Sequence, residues 1–248
     1  MRIAYVDMIG GAAGDMLLGA WVDAGLDRDA LERALRTIVA DGWEMVTERV
    51  DRRGIAATYL DLEIPGEDHH AHDAHGHHHG GRAELRLRDV LHLVEHSGIG
   101  ARAAARACAV YRRIAEAESE IDGTPVEEML FHDVGQLDAI LDVAGTCVAL
   151  ELLGIDELRC SPYPVGTEPS RYHRSATPAL LRGFPQRTIV GAPDQLVTAT
   201  AAAILTTLAT VAEPPAGFTV ERSGYGAGRS DPPHPNVVRV AIGVTPAG

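Results

Sequence analysis

The stretch Arg2-Ile3-Ala4-Tyr5-Val6-Asp7-Met8-Ile9-Gly10-Gly11-Ala12-Ala13-Gly14-Asp15-Met16-Leu17-Leu18 decides the fold class of this chain. Residues 2–8 form a compact apolar run of strand length. Gly10, Gly11 and Gly14 follow, and then Met16, Leu17, Ala20 and Ala24 recur at helical spacing up to a stop at Gly25. The pattern reads as strand, glycine turn, helix start. Small residues between a buried strand and a helix N-terminus let backbone N–H groups approach an anion, and the helix dipole favours negative charge there. Gly10, Gly11 and Gly14 are therefore candidate cofactor- or anion-contacting positions. The dinucleotide fingerprint is excluded because Ile9 stands where its first glycine belongs, and a phosphate-cradling loop is excluded by the lack of Lys-Ser/Thr. Asp7 and Asp15 flank the turn as candidate metal ligands, Asp7 at a strand end of the kind that borders ligand crevices in open α/β sheets. The plainer alternative makes Asp15 a helix-start carboxylate beside a tight turn.

Outward from this segment, a second helix is expected over 29–40 and a strand pair over 43–50 and 57–64. In the latter run Leu60, Leu62 and Ile64 alternate with Asp61 and Glu63. Residues 65–82, PGEDHHAHDAHGHHHGGR, break all periodicity and read as a mobile loop. Helices resume at 85–95 and 102–119. A strongly apolar one follows at 135–153, and shorter ones at 178–182 and 196–209. Two strands, 218–225 and 236–242, close the chain. No internal repeat is evident, and the mixture of βα and ββ pairs gives an α+β or mixed α/β class within a single domain over 1–248.

Composition narrows the function. The chain has 248 residues, of which 46% are hydrophobic and 23% charged, so it can bury a substantial core and wholesale disorder is disfavoured. Thirty-five acidic residues oppose 22 basic ones, all of them arginine, for a net charge of −13. That balance argues against a nucleic-acid partner. Cys108, Cys147 and Cys160 have neither paired nor CxxC spacing, which suits a reducing compartment and no disulfide scaffold. With no secretory leader and no apolar run of membrane-spanning length, the chain reads as a cytoplasmic protein with no membrane partner.

Three further constellations carry chemistry. Seven of the twelve histidines, His69, His70, His72, His75, His77, His78 and His79, lie within eleven residues. Clustered neutral imidazoles suit nickel, zinc and copper, although a solvated low-complexity loop has the same composition. In Phe131-His132-Asp133-Val134-Gly135-Gln136-Leu137-Asp138-Ala139-Ile140-Leu141-Asp142, the carboxylates of Asp138 and Asp142 fall one turn apart on a helix edge, with His132 just upstream. Their mutual repulsion is relieved by a cation, and any of the three could serve as a proton acceptor. The last is Ser223-Gly224-Tyr225-Gly226-Ala227-Gly228-Arg229. Its alternating glycines permit close approach of a ligand or of another backbone, and Arg229 can supply a bidentate anion contact. His173, in a Tyr/Pro-rich stretch, is a further candidate metal ligand or acid/base.

Taken in order, VDMIGGAAGDMLLGAWVDAGL, the histidine run, FHDVGQLDAILDVAG, CSPYPVGT, QLVTATAAAIL and GYGAGRSDPPHPNVVRV resemble the LarC family of nickel insertion proteins over residues 3 to about 242. The resemblance implies insertion of Ni(2+) into pyridinium-3,5-bisthiocarboxylic acid mononucleotide, with one Ni–C and two Ni–S bonds formed to give the nickel-pincer cofactor. In the family the step is coupled to CTP hydrolysis in the presence of Mn(2+) or a similar ion such as Mg(2+). Family members continue into a C-terminal, CTP-associated region that this sequence lacks. On that reading turnover draws on a separate polypeptide carrying it, or on a homo-oligomer. The family's Thr-Pro-Thr-Gly is Thr198-Ala199-Thr200-Ala201 here, which makes Thr198 a candidate cofactor contact alongside Gly226 and Arg229. Two other readings stand beside this one: a nickel metallochaperone or store whose whole activity is the histidine run, and a metal-dependent phosphohydrolase using Asp7 and Asp15.

Overall fold

The computed structural model describes residues 1–64, 85–131, 136–169 and 175–245. Its main sheet has seven strands: β1 (Arg2–Asp7), β2 (Glu44–Arg52), β3 (Ile55–Glu63), β6 (Glu157–Cys160), β9 (Ala209–Val211), β10 (Thr219–Ala227) and β11 (Val237–Val244). They lie in the order β2-β3-β10-β11-β1-β6-β9. Two short pairs stand apart, β4 (Leu85–Arg86) with β5 (Leu130–Phe131), and β7 (Tyr163–Glu168) with β8 (Gln186–Pro193). The helices are α1 (Gly14–Asp23), α2 (Arg28–Leu35), α3 (Leu87–Glu95), α4 (Ala101–Asp122), α5 (Leu137–Leu152), α6 (Thr177–Leu180) and α7 (Ala199–Leu208). The expected mixed α/β class is what the chain adopts.

The apolar first segment is a central strand. β1 runs antiparallel to β11 and parallel to β6, with Ile3, Ala4 and Val6 fully buried. The closing strand pair is equally central. Val237, Val238, Val240, Ala241 and Ile242 of β11 are buried on both faces, which is why that run reads as continuously apolar instead of alternating. β10 joins β11 antiparallel and β3 parallel, so the β2–β3 hairpin is added to the sheet through the C-terminal pair.

Helix α1 lies directly on β10, β3 and β11. Glycines make that approach possible. A Cβ at Gly226 would stand 1.7 Å from the Met16 carbonyl oxygen, and one at Gly224 would stand 2.2 Å from the Ala24 nitrogen. From the helix side, a Cβ at Gly19 would stand 2.5 Å from the Thr58 carbonyl. The alternating glycines of β10 therefore admit another backbone, and Gly226 sits beneath a helix and not at a ligand surface.

Helix α5 is buried nearly all round, with residues Ala139 to Leu141 and Val143 to Leu150 inaccessible, and it packs against α1, α2, α4 and α7. Its Glu151 caps α4 by accepting the Ala103 N–H at 2.8 Å. Boundaries moved where tertiary packing overrode periodicity: the helix expected over 29–40 ends at Leu35, and the one expected from 196 starts at Ala199. β7 and β8 were not foreseen. β8 is held by its ladder to β7 with most of its residues exposed, Val190 at 86%, so it carries no apolar alternation to read.

Candidate functional site

The N-termini of α1, α5 and α7 open onto one cleft of about 790 Å³. Residues 12–16 form one wall, Asp138 and Asp142 of α5 another, and the segment Pro193, Gln195–Thr198 and Thr200 a third. Asp61 and Leu62 of β3 and the turn carrying Gly228–Ser230, His234 and Asn236 complete it. The glycine turn draws these segments together. A Cβ at Gly10 would meet the Pro235 carbonyl oxygen at 1.7 Å, and Gly11, at φ +152°, lies 2.4 Å from the Leu196 carbonyl by the same measure. Ala12 and Thr198 exchange backbone contacts around this seam: Ala12 N–H donates to the Leu196 carbonyl at 3.0 Å, and Thr198 N–H to the Ala12 carbonyl at 2.9 Å. Gly10 and Gly11 thus serve close backbone packing beside the cleft and are not among the residues that line it.

Gly14 has a different neighbour. The Asp142 carboxylate lies over it, its Oδ2 2.2 Å from where a Cβ would be, and accepts the Asp15 backbone N–H. The anion position expected at the start of α1 is therefore filled from within the protein, by a carboxylate of α5. Asp15 accepts the Met16 N–H at 2.7 Å and Asp138 the Ala139 N–H at 2.8 Å, each in the first turn of its own helix. Asp15, Asp61, Asp138 and Asp142 all line the cleft. Burial, followed by repulsion from Asp61 and Asp138, pushes the Asp15 carboxyl up to about 6, against the pull of its bond from Met16 and of Arg229. Asp142 is driven well above the usual carboxylate range by burial and then by Asp15 and Asp138. Beneath them Tyr111 of α4 is fully buried, and its hydroxyl is raised by burial and by the charges of Asp142 and Asp138.

Against these acids stands Arg229. Its Nη2 donates to Asp61 Oδ1 and Oδ2 at 3.4 Å and its Nε to the Tyr59 hydroxyl at 3.3 Å, while Tyr59 donates to Asp61 Oδ2 at 2.9 Å. Thr198 caps α7 by accepting the Ala201 N–H at 3.3 Å, and lines the cleft with Thr200. Asn236 Nδ2 donates to the Ser230 carbonyl at 3.0 Å, which pins the turn that carries Arg229. His234 is half-buried on the same wall, and burial lowers its imidazole from the ordinary value.

Of the residues expected from sequence, the cleft gathers Gly14, Asp15, Asp138, Asp142, Thr198 and Arg229. Asp7 is not among its lining residues; at the end of β1 it pairs in register with Arg239 of β11, because an antiparallel neighbour occupies the strand edge that an open crevice would need. Asp61, Tyr59 and His234 were missed. Asp61 reads as the solvent side of an alternating strand, and only the β3–β10 pairing brings it to Arg229, 168 positions away in sequence. His132, His173 and the histidines at 69, 70, 72, 75, 77, 78 and 79 lie outside the described residues. Among the described residues no three His, Cys, Asp or Glu side chains are arranged to hold one metal ion. No helix among them is long and apolar enough to cross a membrane.

Comparison with known proteins places this chain in a family. The chain belongs to the nickel insertion protein family, whose model matches residues 4–247. A relative from Myxococcus xanthus strain DK1622, named for nickel insertion, is 37% identical over 251 residues, covering 98% of this chain and 60% of its own. One from Thermomicrobium roseum with the same name is 38% identical over 253 residues, covering 98% and 58%. A protein of Thermotoga sp. strain RQ2, named pyridinium-3,5-bisthiocarboxylic acid mononucleotide nickel insertion protein, is 36% identical over 251 residues, covering 98% and 61%. The chain thus spans about three fifths of the length of these curated relatives. No solved structure matches it.

Proposed function

We propose that this cleft is where nickel(II) meets pyridinium-3,5-bisthiocarboxylic acid mononucleotide and is inserted into it. The observation that carries the reading is the meeting of Asp15, Asp138 and Asp142 with Arg229 in one cleft, within a chain that matches the nickel insertion family along almost its whole length. Carboxylate oxygen is a poor match for a borderline ion and sulfur a better one, so nickel drawn into the cleft by the negative charge of these aspartates, which are not arranged to chelate it, passes downhill to the two thiocarboxylate sulfurs. Arg229 and the hydroxyls of Thr198 and Thr200 would receive the substrate's phosphate, a reading supported by all three residues lining the cleft.

Forming the Ni–C bond requires the ring C–H electron pair to go to nickel and the proton to a base. Asp142 or Asp138 takes it, with His132 as the alternative from outside the described residues. A carboxylate whose affinity for protons has been raised is the better acceptor near neutral pH. His173 and the histidines of 69–79 serve in this reading as nickel donors that feed the cleft, whereas Asp7, outside its lining, has no part in it. The carboxylate set also fits Mn(2+) or Mg(2+) by donor type, and such an ion would supply charge neutralisation there. CTP coupling is part of the family's reaction, and we assign it to no described residue. Reduced sulfur ligands favour a reducing compartment, and the free Cys108, Cys147 and Cys160 support a cytoplasmic setting for the step.

The test is incubation with nickel and the bisthiocarboxylate mononucleotide, with and without CTP and a polypeptide carrying the family's remaining region, read by mass spectrometry. A product with one nickel and one ring proton fewer, strongly reduced in Asp142→Asn, is expected. Unchanged precursor under every condition, with nickel retained by the protein, would leave a nickel store as the better description.

A further inference from the structure

Helix α3 contributes no residue to the cleft, yet its last turn carries His92, and His96 follows as its C-cap residue. The inward residues of this helix are Leu87, Val90 and Val94, packed toward α4, so neither imidazole is needed for the core and both are exposed. Their rings nevertheless lie together, with centroids 4.0 Å apart and planes tilted by 39°. His96 Nδ1 lies 2.9 Å from the His92 carbonyl oxygen. A carbonyl can only accept, so Nδ1 carries the hydrogen, and in the neutral ring the lone pair sits on Nε2. Fixing one ring nitrogen by a backbone carbonyl so that the other can bind a metal is the usual outer support of a histidine ligand.

Two imidazoles spaced i and i+4 can chelate one ion from two points, and the C-cap position of His96 still sets its ring against that of His92. Nitrogens about 2.1 Å from a common metal are roughly 3 Å apart, a spacing that side-chain rotation reaches from rings already in contact. The surrounding charge is mixed. Asp89, one turn earlier, accepts the Arg86 N–H at 3.1 Å, and Glu95 stands 3.7 Å from Arg112 of α4.

We propose that His92 and His96 form a bidentate surface site for a borderline divalent cation of the nickel, zinc and copper class, with water completing the coordination. The site is separate from the cleft and gives the chain a point of metal capture on the outside of α3. It stands or falls independently of the insertion reaction, because its test reads the two rings themselves.

Protein labelled with isotopic histidine is titrated with nickel(II) at buffered free concentrations, and the imidazole signals are followed by NMR, where the paramagnetic ion broadens the signals of rings that bind it. The His92 and His96 signals should fade together with one affinity. His92→Gln should weaken the response of His96 tenfold or more, and His96→Gln should do the same to His92, since each substitution leaves a single ligand. The proposal is overturned if both signals persist at nickel concentrations that saturate the other histidines. It is equally overturned if His92→Gln leaves the His96 titration unchanged, which would make the rings independent.

Discussion

Helix α1 bears an aspartate at each end, and the two have opposite fates. At the C-terminal end Asp23 is fully engaged: its Oδ1 accepts from Arg49 and from Thr58 Oγ1, at 3.0 Å in the latter, and its Oδ2 accepts the Tyr225 backbone N–H at 2.7 Å. That N–H is free for it because β10 pairs with β3 only at Gly226 and Ala227. At the N-terminal end Asp15 has a bond from its own helix and shares its cleft with three more carboxylates. One end is satisfied and holds the helix to the sheet. The other is left in tension that a cation would relieve. A protein tolerates such a concentration of like charge where a ligand completes it, and stability is given up there for function.

The comparison is broken most severely by giving each end a methyl group. Gly224→Ala, at the Asp23 end, drives a Cβ into the α1 backbone at 2.2–2.5 Å, and should cost more than about 3 kcal/mol, seen in urea unfolding or as loss of folded protein. Gly14→Ala, at the Asp15 end, meets the Asp142 side chain, its Cβ included at 2.6 Å, so α1 and α5 must shift apart as the carboxylate is displaced. That variant should lose less stability than Gly224→Ala and lose nickel insertion. Next in size, Asp142→Asn keeps an oxygen for the Asp15 N–H but removes the charge, and product formation should fall on the order of 100-fold while the fold is retained.

Asp23→Ala should cost about 2 kcal/mol in denaturant unfolding, because it strands the Tyr225 N–H and the Thr58 hydroxyl, and it should leave nickel binding in the cleft intact. The smallest effect has the opposite sign. Folded Asp15 keeps its proton up to about pH 6, whereas the unfolded side chain releases it near 3.8. The folded state therefore binds the extra proton in that window, and stability falls as pH rises through it, with the full penalty present above about 6. Asp15→Asn should accordingly gain about 1–2 kcal/mol at pH 7 and nothing near pH 3.5, by urea unfolding at the two values. A gain of equal size at both would show that the carboxylate charge is not the source of the tension.

Much of the scaffold was open to reading because it depends on neighbours in sequence. The β1-turn-α1 unit, the apolar α5 and the strands β10 and β11 all follow from local periodicity and glycine placement. Asp15, Asp138 and Asp142 were legible as candidates for the same reason, each lying in the first turns of a helix whose start is marked. Thr198 and Arg229 were named from motifs. The meaning of the glycines was not legible. A helix–strand contact and a ligand contact call for the same absent side chain, and only the coordinates distinguish Gly226, under Met16, from Gly14, under Asp142.

Local sequence thus determined that a buried strand would lead through a glycine turn into a helix with an acid in its first turn, since hydrophobic period and backbone freedom act over a few residues. Tertiary structure alone decided which acids would meet and which would not. The C-terminal strand pair enters the sheet between β1 and β3, carries Arg229 to Asp61, and leaves Asp7 opposite Arg239. Charge repulsion and its relief are properties of distance in space, and strand order sets those distances.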